Sequence, residues 1–204
     1  LDRKCFSCMT CEQLVNWVLC AGMYVAGTGD AEFLRNYRAL FSQCLESLLN
    51  RDHPDPEKRN GLMDFESSRT GGGGEITTYD SLDHSLGQAR GNVYLAGKCW
   101  AAYLALEKLF EESGEAEAAA ESRAAAVRCA ATLEKSFDEQ LGFIPAVLDG
   151  DNQSAIVPAV EALVYPWHMG LKEAVTETGP YGGYIRMLKR HVENILKPGI
   201  CLYE

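Results

Sequence analysis

The chain has 204 residues, 47% of them apolar and 24% charged, a balance that excludes a disordered, collagenous or fibrous polypeptide. Twenty-nine Asp and Glu outnumber 19 Lys and Arg, and the net charge of -10 is the wrong sign for gripping phosphate backbones. No run approaches the ~18 uninterrupted apolar residues of a membrane helix, so neither nucleic acid nor membrane is expected as a partner.

The chain starts Leu1-Asp2-Arg3-Lys4, without methionine or a secretory pattern, and reads as cut from something longer. Its eight cysteines, several inside helical apolar patterns, read as reduced thiols packed as small hydrophobes, which points to a cytoplasmic protein.

From Thr10, the apolar positions Leu14, Trp17, Val18, Ala21 and Val25 recur at helical spacing, with Thr10 as N-cap and Gln13 completing a capping box. Gly27 to Asp30 breaks the pattern, which resumes through Leu34, Tyr37, Leu40, Phe41, Leu45 and Leu48, so residues 10–50 form a helical hairpin with Asp30 capping its second arm.

Residues 51–85 change character: Asp52-His53-Pro54-Asp55-Pro56, Asn60-Gly61 and Gly71 to Gly74 are turn chemistry. A loop this long inside a compact domain is usually functional or disordered, and its Leu62, Met63, Phe65, Ile76 and Tyr79 argue that it is packed down.

Helices fill 86–204. Leu86 to Phe110 is apolar almost all round, and its Gly87, Ala89, Gly91 and Gly97 admit another backbone closely. After Ser113-Gly114, the alanine-rich stretch Glu115 to Lys135 is a strong intrinsic helix with Glu115, Glu117, Glu121 and Arg128 facing water. A segment from Pro158 to Lys172 is kinked or ended by Pro166, and Tyr181 to Leu196 supplies a last helix with His191 on its polar side. Nothing alternates at period two long enough for a sheet; the expectation is an all-α fold of three hairpins.

Cys5-x-x-Cys8-x-x-Cys11 has metal-like spacing but no second ligand pair nearby, so the thiols read as packing under the first helix and no metal is expected. Gly71 to Gly74 lacks the Lys-Ser/Thr of a phosphate loop. Glu75-Ile76-Thr77-Thr78-Tyr79-Asp80-Ser81-Leu82-Asp83-His84 is the most informative stretch, where an accessible loop meets a rigid helix.

If Asp80 and Asp83 share a first helical turn, ~5–6 Å separates them. One pKa then rises, as a general acid at neutral pH requires. The same pair also fits a variant capping box with no catalytic duty. Arg69 offers hydrogen bonds to a polar ligand, though an exposed arginine is the commoner case. No histidine has a Ser or Cys partner at telling spacing, so a hydrolytic triad has no support.

The stretch from Asn50-Arg51-Asp52-His53-Pro54-Asp55-Pro56 through Ser67-Ser68-Arg69-Thr70 and Glu75 to Asp83, then Leu86-Gly87-Gln88-Ala89-Arg90 and Gly97-Lys98-Cys99-Trp100-Ala101-Ala102-Tyr103, closely resembles glycoside hydrolase family 52, the retaining β-xylosidases. The resemblance runs from Gln13 to Glu204 and implies an N-terminal β-sandwich, absent from this chain, followed by a twelve-helix (α/α)6 barrel of which residues 1–204 form about half. It implies a homodimer, xylo-oligosaccharides as substrate and no cofactor.

The same resemblance implies Asp80 as general acid/base; Asp83 and Arg69 match segments of the family without a definite role carried over from it, and are expected to bind substrate. The family's nucleophilic glutamate falls outside this chain. Glu75 is a poor substitute, because five extended residues span ~16 Å whereas a retaining pair needs ~5–5.5 Å. The competing expectation is a non-catalytic helical carbohydrate-binding or interaction module, with Trp17, Trp100 and Trp167 stacking on sugar or filling the core.

Overall fold

The computed structural model describes residues 9–66, 74–78 and 86–202. The first hairpin pairs α1 (Thr10–Thr28) with α2 (Ala31–Asp52). Gly29 ends α1 in the left-handed region at φ 66°, its N–H donating to the Val25 carbonyl. Asp30 then caps α2 as expected, one carboxylate oxygen accepting from the Glu32 and Phe33 N–H groups at 3.0 and 2.9 Å. Thr10 is not the cap of α1. The helix begins at Thr10 with Met9 in the cap position, and the Thr10 hydroxyl instead accepts from Arg51 at the end of α2, 3.1 Å away.

The second hairpin pairs α3 (Val93–Ser113) with α4 (Ala116–Lys135), joined through Gly114 at φ 76°. Every residue of α3 from Val93 to Leu106 is buried. That makes α3 the axis of the molecule, with α1, α4 and residues 157–163 packed around it. The helix starts later than periodicity suggested: Gly91 adopts φ 61°, and the Asn92 carboxamide caps by accepting from Leu95 N–H, so residues 86–92 remain loop. The alanines of α4 at 119, 125, 126 and 130 are buried, consistent with two backbones lying close. Arg128 does not belong to the water-facing side; its Nε is buried.

The third segment is less regular than a hairpin. Residues Val157–Leu163 form a 3-10 helix, followed by the single-turn α5 (Val164–His168), a second 3-10 turn at Lys172–Val175, and α6 (Gly182–Ile195). Pro158 is accommodated at a helix start and Pro166 within the first turn of α5, which is stopped by Gly170 at φ 80° with the Leu171 N–H donating to the Pro166 carbonyl. Gly97 is where this segment meets α3: a Cβ there would lie 3.2 Å from the Ala162 Cβ and 3.3 Å from the Tyr184 hydroxyl.

His191 corrects the expectation of a polar-side histidine. It is fully buried, accepting from Ile144 N–H at Nδ1 (3.3 Å) and donating from Nε2 to the Ile156 carbonyl (2.8 Å). Its spacing from Leu188 and Ile195 puts it on the apolar face. Among the described residues there is no strand, only four isolated bridges, and the fold is all-α.

Candidate functional site

Both long connections, residues 53–92 and 136–156, leave from the same end of the helices, where α2 and α4 stop and α3 starts. They are laced together there. Val93 N–H donates to the Ala146 carbonyl, Leu148 N–H to the Gly91 carbonyl, and Arg90 pairs with Asp149 at 3.0 Å.

Of the apolar residues expected to pack the first loop down, Leu62 and Met63 are core and Ile76 is half-buried, whereas Phe65 is exposed with His53 edge-on to its ring, and Tyr79 lies outside the described residues. Asp52, the last residue of α2, is buried and holds the turn, its two oxygens accepting from Asn60 and Gly61 N–H at 2.8 Å each. Burial pushes its carboxyl above the usual range, and those two N–H groups with Arg128 and Arg59 only partly offset that.

One residue earlier, Arg51 reaches the other way, donating to Ser47, to Thr10 and to the buried carboxylate of Glu75 at 3.3 Å. Glu75 is thus tied by Arg51 to the end of α2.

Residues 74–78 run antiparallel to 86–89. Thr77 N–H donates to the Gly87 carbonyl at 2.7 Å, Ala89 N–H to the Glu75 carbonyl at 2.9 Å, and Ile76 bridges Gln88. Asn92 ties the second side of this neck to α3 by donating from Nδ2 to the Leu86 carbonyl at 2.7 Å.

The first side of the neck is held by Glu12, in the first turn of α1. The Glu12 carboxylate accepts from Thr78 N–H (2.6 Å), the Thr78 hydroxyl (2.8 Å) and the Tyr94 hydroxyl (2.7 Å). Lys98, one turn beyond Tyr94 on α3, lies 3.5 Å from Glu12, 3.0 Å from the Tyr94 hydroxyl and 3.7 Å from Glu161. The Tyr165 hydroxyl donates to Glu161.

Glu12 is 2% exposed and Lys98 3%, whereas the Glu161 side chain is 39% exposed, so the network runs from the core toward solvent. Burial alone would raise the Glu12 carboxyl. The hydrogen bonds from Thr78 and Tyr94, with the Lys98 charge, more than offset it and leave the group below its ordinary range. Tyr165 is pushed up to about 12, chiefly by burial.

The sequence-predicted site residues Asp80, Asp83 and Arg69 lie outside the described residues, as do His84 and Cys5 and Cys8 of the cysteine run. What the structure brings together is the frame on either side of Asp80 and Asp83: Thr78 on Glu12, Leu86 on Asn92. Glu12, Tyr94 and Lys98 were missed by sequence reasoning. A signal existed, since Lys98 is the lone charge in the apolar run Val93 to Leu106 and shares a helical face with Tyr94.

The three tryptophans separate. Trp100 is fully buried between Tyr181 and Tyr184, Trp17 packs on Phe41, and only Trp167 is exposed, with Lys172 over its ring at 5.0 Å.

A hollow of about 450 Å³ opens in the second loop, lined by Ser136, Phe137, Asp138, Asp151, Asn152 and Gln153 among others. That volume is in the range of small-ligand sites. A larger one, about 570 Å³, lies between α3, α4 and residues 170–181, and none of its lining residues belongs to either loop.

The model of the family described as Glycosyl hydrolase family 52 matches residues 1–24. A beta-xylosidase of Geobacillus stearothermophilus is 54% identical over 199 residues, which is 98% of this chain and 28% of that protein. A second beta-xylosidase of the same organism is 48% identical over 116 residues, 57% of this chain and 19% of that protein. The chain thus spans little more than a quarter of the first relative's length.

Proposed function

Because the chain belongs to glycosyl hydrolase family 52, we propose that it is part of the catalytic domain of a retaining β-xylosidase, supplying the general acid/base and not the nucleophile. The observation that carries this reading is the 54% identity to a beta-xylosidase along 98% of the chain. Two helical hairpins around a buried α3 are compatible with about half of an (α/α)6 barrel, and residues 51–85 are its active-site loop. The whole enzyme is read as a cytoplasmic homodimer acting on xylo-oligosaccharides. No metal or organic cofactor enters the proposed reaction.

In the first step, Asp80 as a carboxylic acid gives its proton to the departing glycosidic oxygen while a glutamate outside this chain bonds to the anomeric carbon. In the second, Asp80 as a carboxylate takes a proton from water, whose oxygen displaces the glutamate from the sugar. Asp83 and Arg69 are proposed to bind substrate.

The test is Asp80→Ala in a protein of full family length carrying this segment. Turnover of xylobiose should fall by about 10²–10⁴-fold, the usual weight of a positioned acid/base. Azide, which needs no deprotonation, should restore part of the turnover on an activated aryl xyloside and yield a xylosyl azide. Unimpaired hydrolysis of xylobiose would refute the assignment.

A further inference from the structure

We infer that Glu12 is a positioning residue for the acid/base chemistry: by holding Thr78 through both its N–H and its hydroxyl, it fixes how the chain runs into Asp80, two positions further on. This rests on the reading of Asp80 given above.

The geometry carries it in three ways. First, Glu12 holds the loop at a side-chain and a main-chain atom of one residue, at 2.8 and 2.6 Å, and so constrains both the place and the orientation of that peptide. Second, the anchor is rigid. Glu12 is in the first turn of α1, and Tyr94 and Lys98, which complete its surroundings, are on the buried α3. Third, the group is a carboxylate that only accepts.

Four donors converge on its two oxygens: Thr78 twice, Tyr94 and Lys98. Three of them, the Thr78 and Tyr94 hydroxyls and Lys98, fall on one oxygen and the Thr78 N–H on the other, so a neutral amide of the same shape would turn its N–H₂ on a donor whichever way it faced. Keeping an ionised pair at 2–3% exposure is costly, and packing alone does not require it. The opposite side of the neck is secured separately by Asn92 on Leu86, so Glu12 controls one approach only.

Protonating the leaving group matters most when that group departs poorly, so loss of acid positioning is selective for the substrate. In the full-length enzyme, kcat/KM is measured for phenyl β-xyloside, a poor leaving group, and for 2,4-dinitrophenyl β-xyloside, which leaves without help. Glu12→Gln should lose about tenfold or more on the first and within about threefold on the second, a fraction of the general-acid contribution.

Equal losses on both substrates, or none on either, would overturn the proposal, since a merely structural role does not distinguish leaving groups. Thr78→Val removes the exposed hydroxyl and keeps the N–H, and decides the matter by the same pattern if Glu12→Gln does not fold. Asp80→Ala is run beside them. Should it lack the leaving-group selectivity, the reading of Asp80 itself fails; should it show the selectivity while the other two variants do not, only the role of Glu12 fails.

Discussion

Gly61 rests directly on the backbone of Cys129 in α4, at a φ of 90°. The contact is locked from both sides: Asp52 accepts from the Gly61 N–H, and the Thr132 hydroxyl donates to the Asn60 carbonyl at 2.6 Å. A methyl group at this position would meet both the left-handed backbone and the helix it lies on.

Gly61→Ala is therefore expected to destabilise by about 2–5 kcal/mol, combining ~1–2 for the strained φ with ~1–3 for overpacking. Urea unfolding measures it. A loss under about 0.5 kcal/mol would show that the loop moves off α4 at little cost.

Lys98→Met should be severe despite its conservative volume. The ammonium is the counter-charge of the 2% exposed Glu12 carboxylate, and breaking a buried pair from one side costs about 3–5 kcal/mol. Adding Glu12→Gln to it should recover a part, because the stranded charge goes with it. Strict additivity of the two losses in a double-mutant cycle would disprove the coupling.

His191 makes stability depend on pH. Burial lowers its pKa, and the hydrogen bond to the Ile156 carbonyl only partly opposes this. Above the unfolded value of ~6.5 the imidazole is neutral in both states and contributes no pH dependence. As pH falls below that, the unfolded chain takes up a proton the native site resists, so stability is lost down to the lowered native pKa.

His191→Leu should cost about 1–3 kcal/mol at pH 7 for each of the two main-chain groups it leaves unpaired, yet show a shallower decline than the parent below pH ~6.5. Parallel urea titrations from pH 7.5 to 4.5 compare them, and identical slopes would sink the idea.

What was legible in the sequence was whatever repeats. Two hairpins and the burial of α3 follow from apolar spacing, and Asp30 from cap chemistry. Where one side chain had two possible partners, local rules failed. Thr10 suits its helix as a cap, but Arg51, distant in sequence, takes its hydroxyl. His191 looks polar until Ile144 and Ile156 supply its partners from another part of the chain.

The helix around Pro158 to Lys172 breaks into 3-10 turns where prolines punctuate it, which periodicity does not register. Glu12 was invisible for a related reason: a glutamate in a first helical turn already has a sufficient local explanation in the helix dipole. Only Thr78 and Lys98, remote in sequence, show what else it does.

The two ends of the helices differ in slack. Gly29 and Gly114 close the hairpins in single left-handed residues, whereas at the other end dozens of residues intervene between helices. Insertions and deletions that retune recognition can therefore accumulate in the long connections, since lengthening the single-residue turns at Gly29 and Gly114 would unseat the helices themselves. Diversification in such a scaffold is confined to its long connections, and a library built on it should vary residues 53–92 and 136–156 while leaving 28–31 and 113–116 untouched.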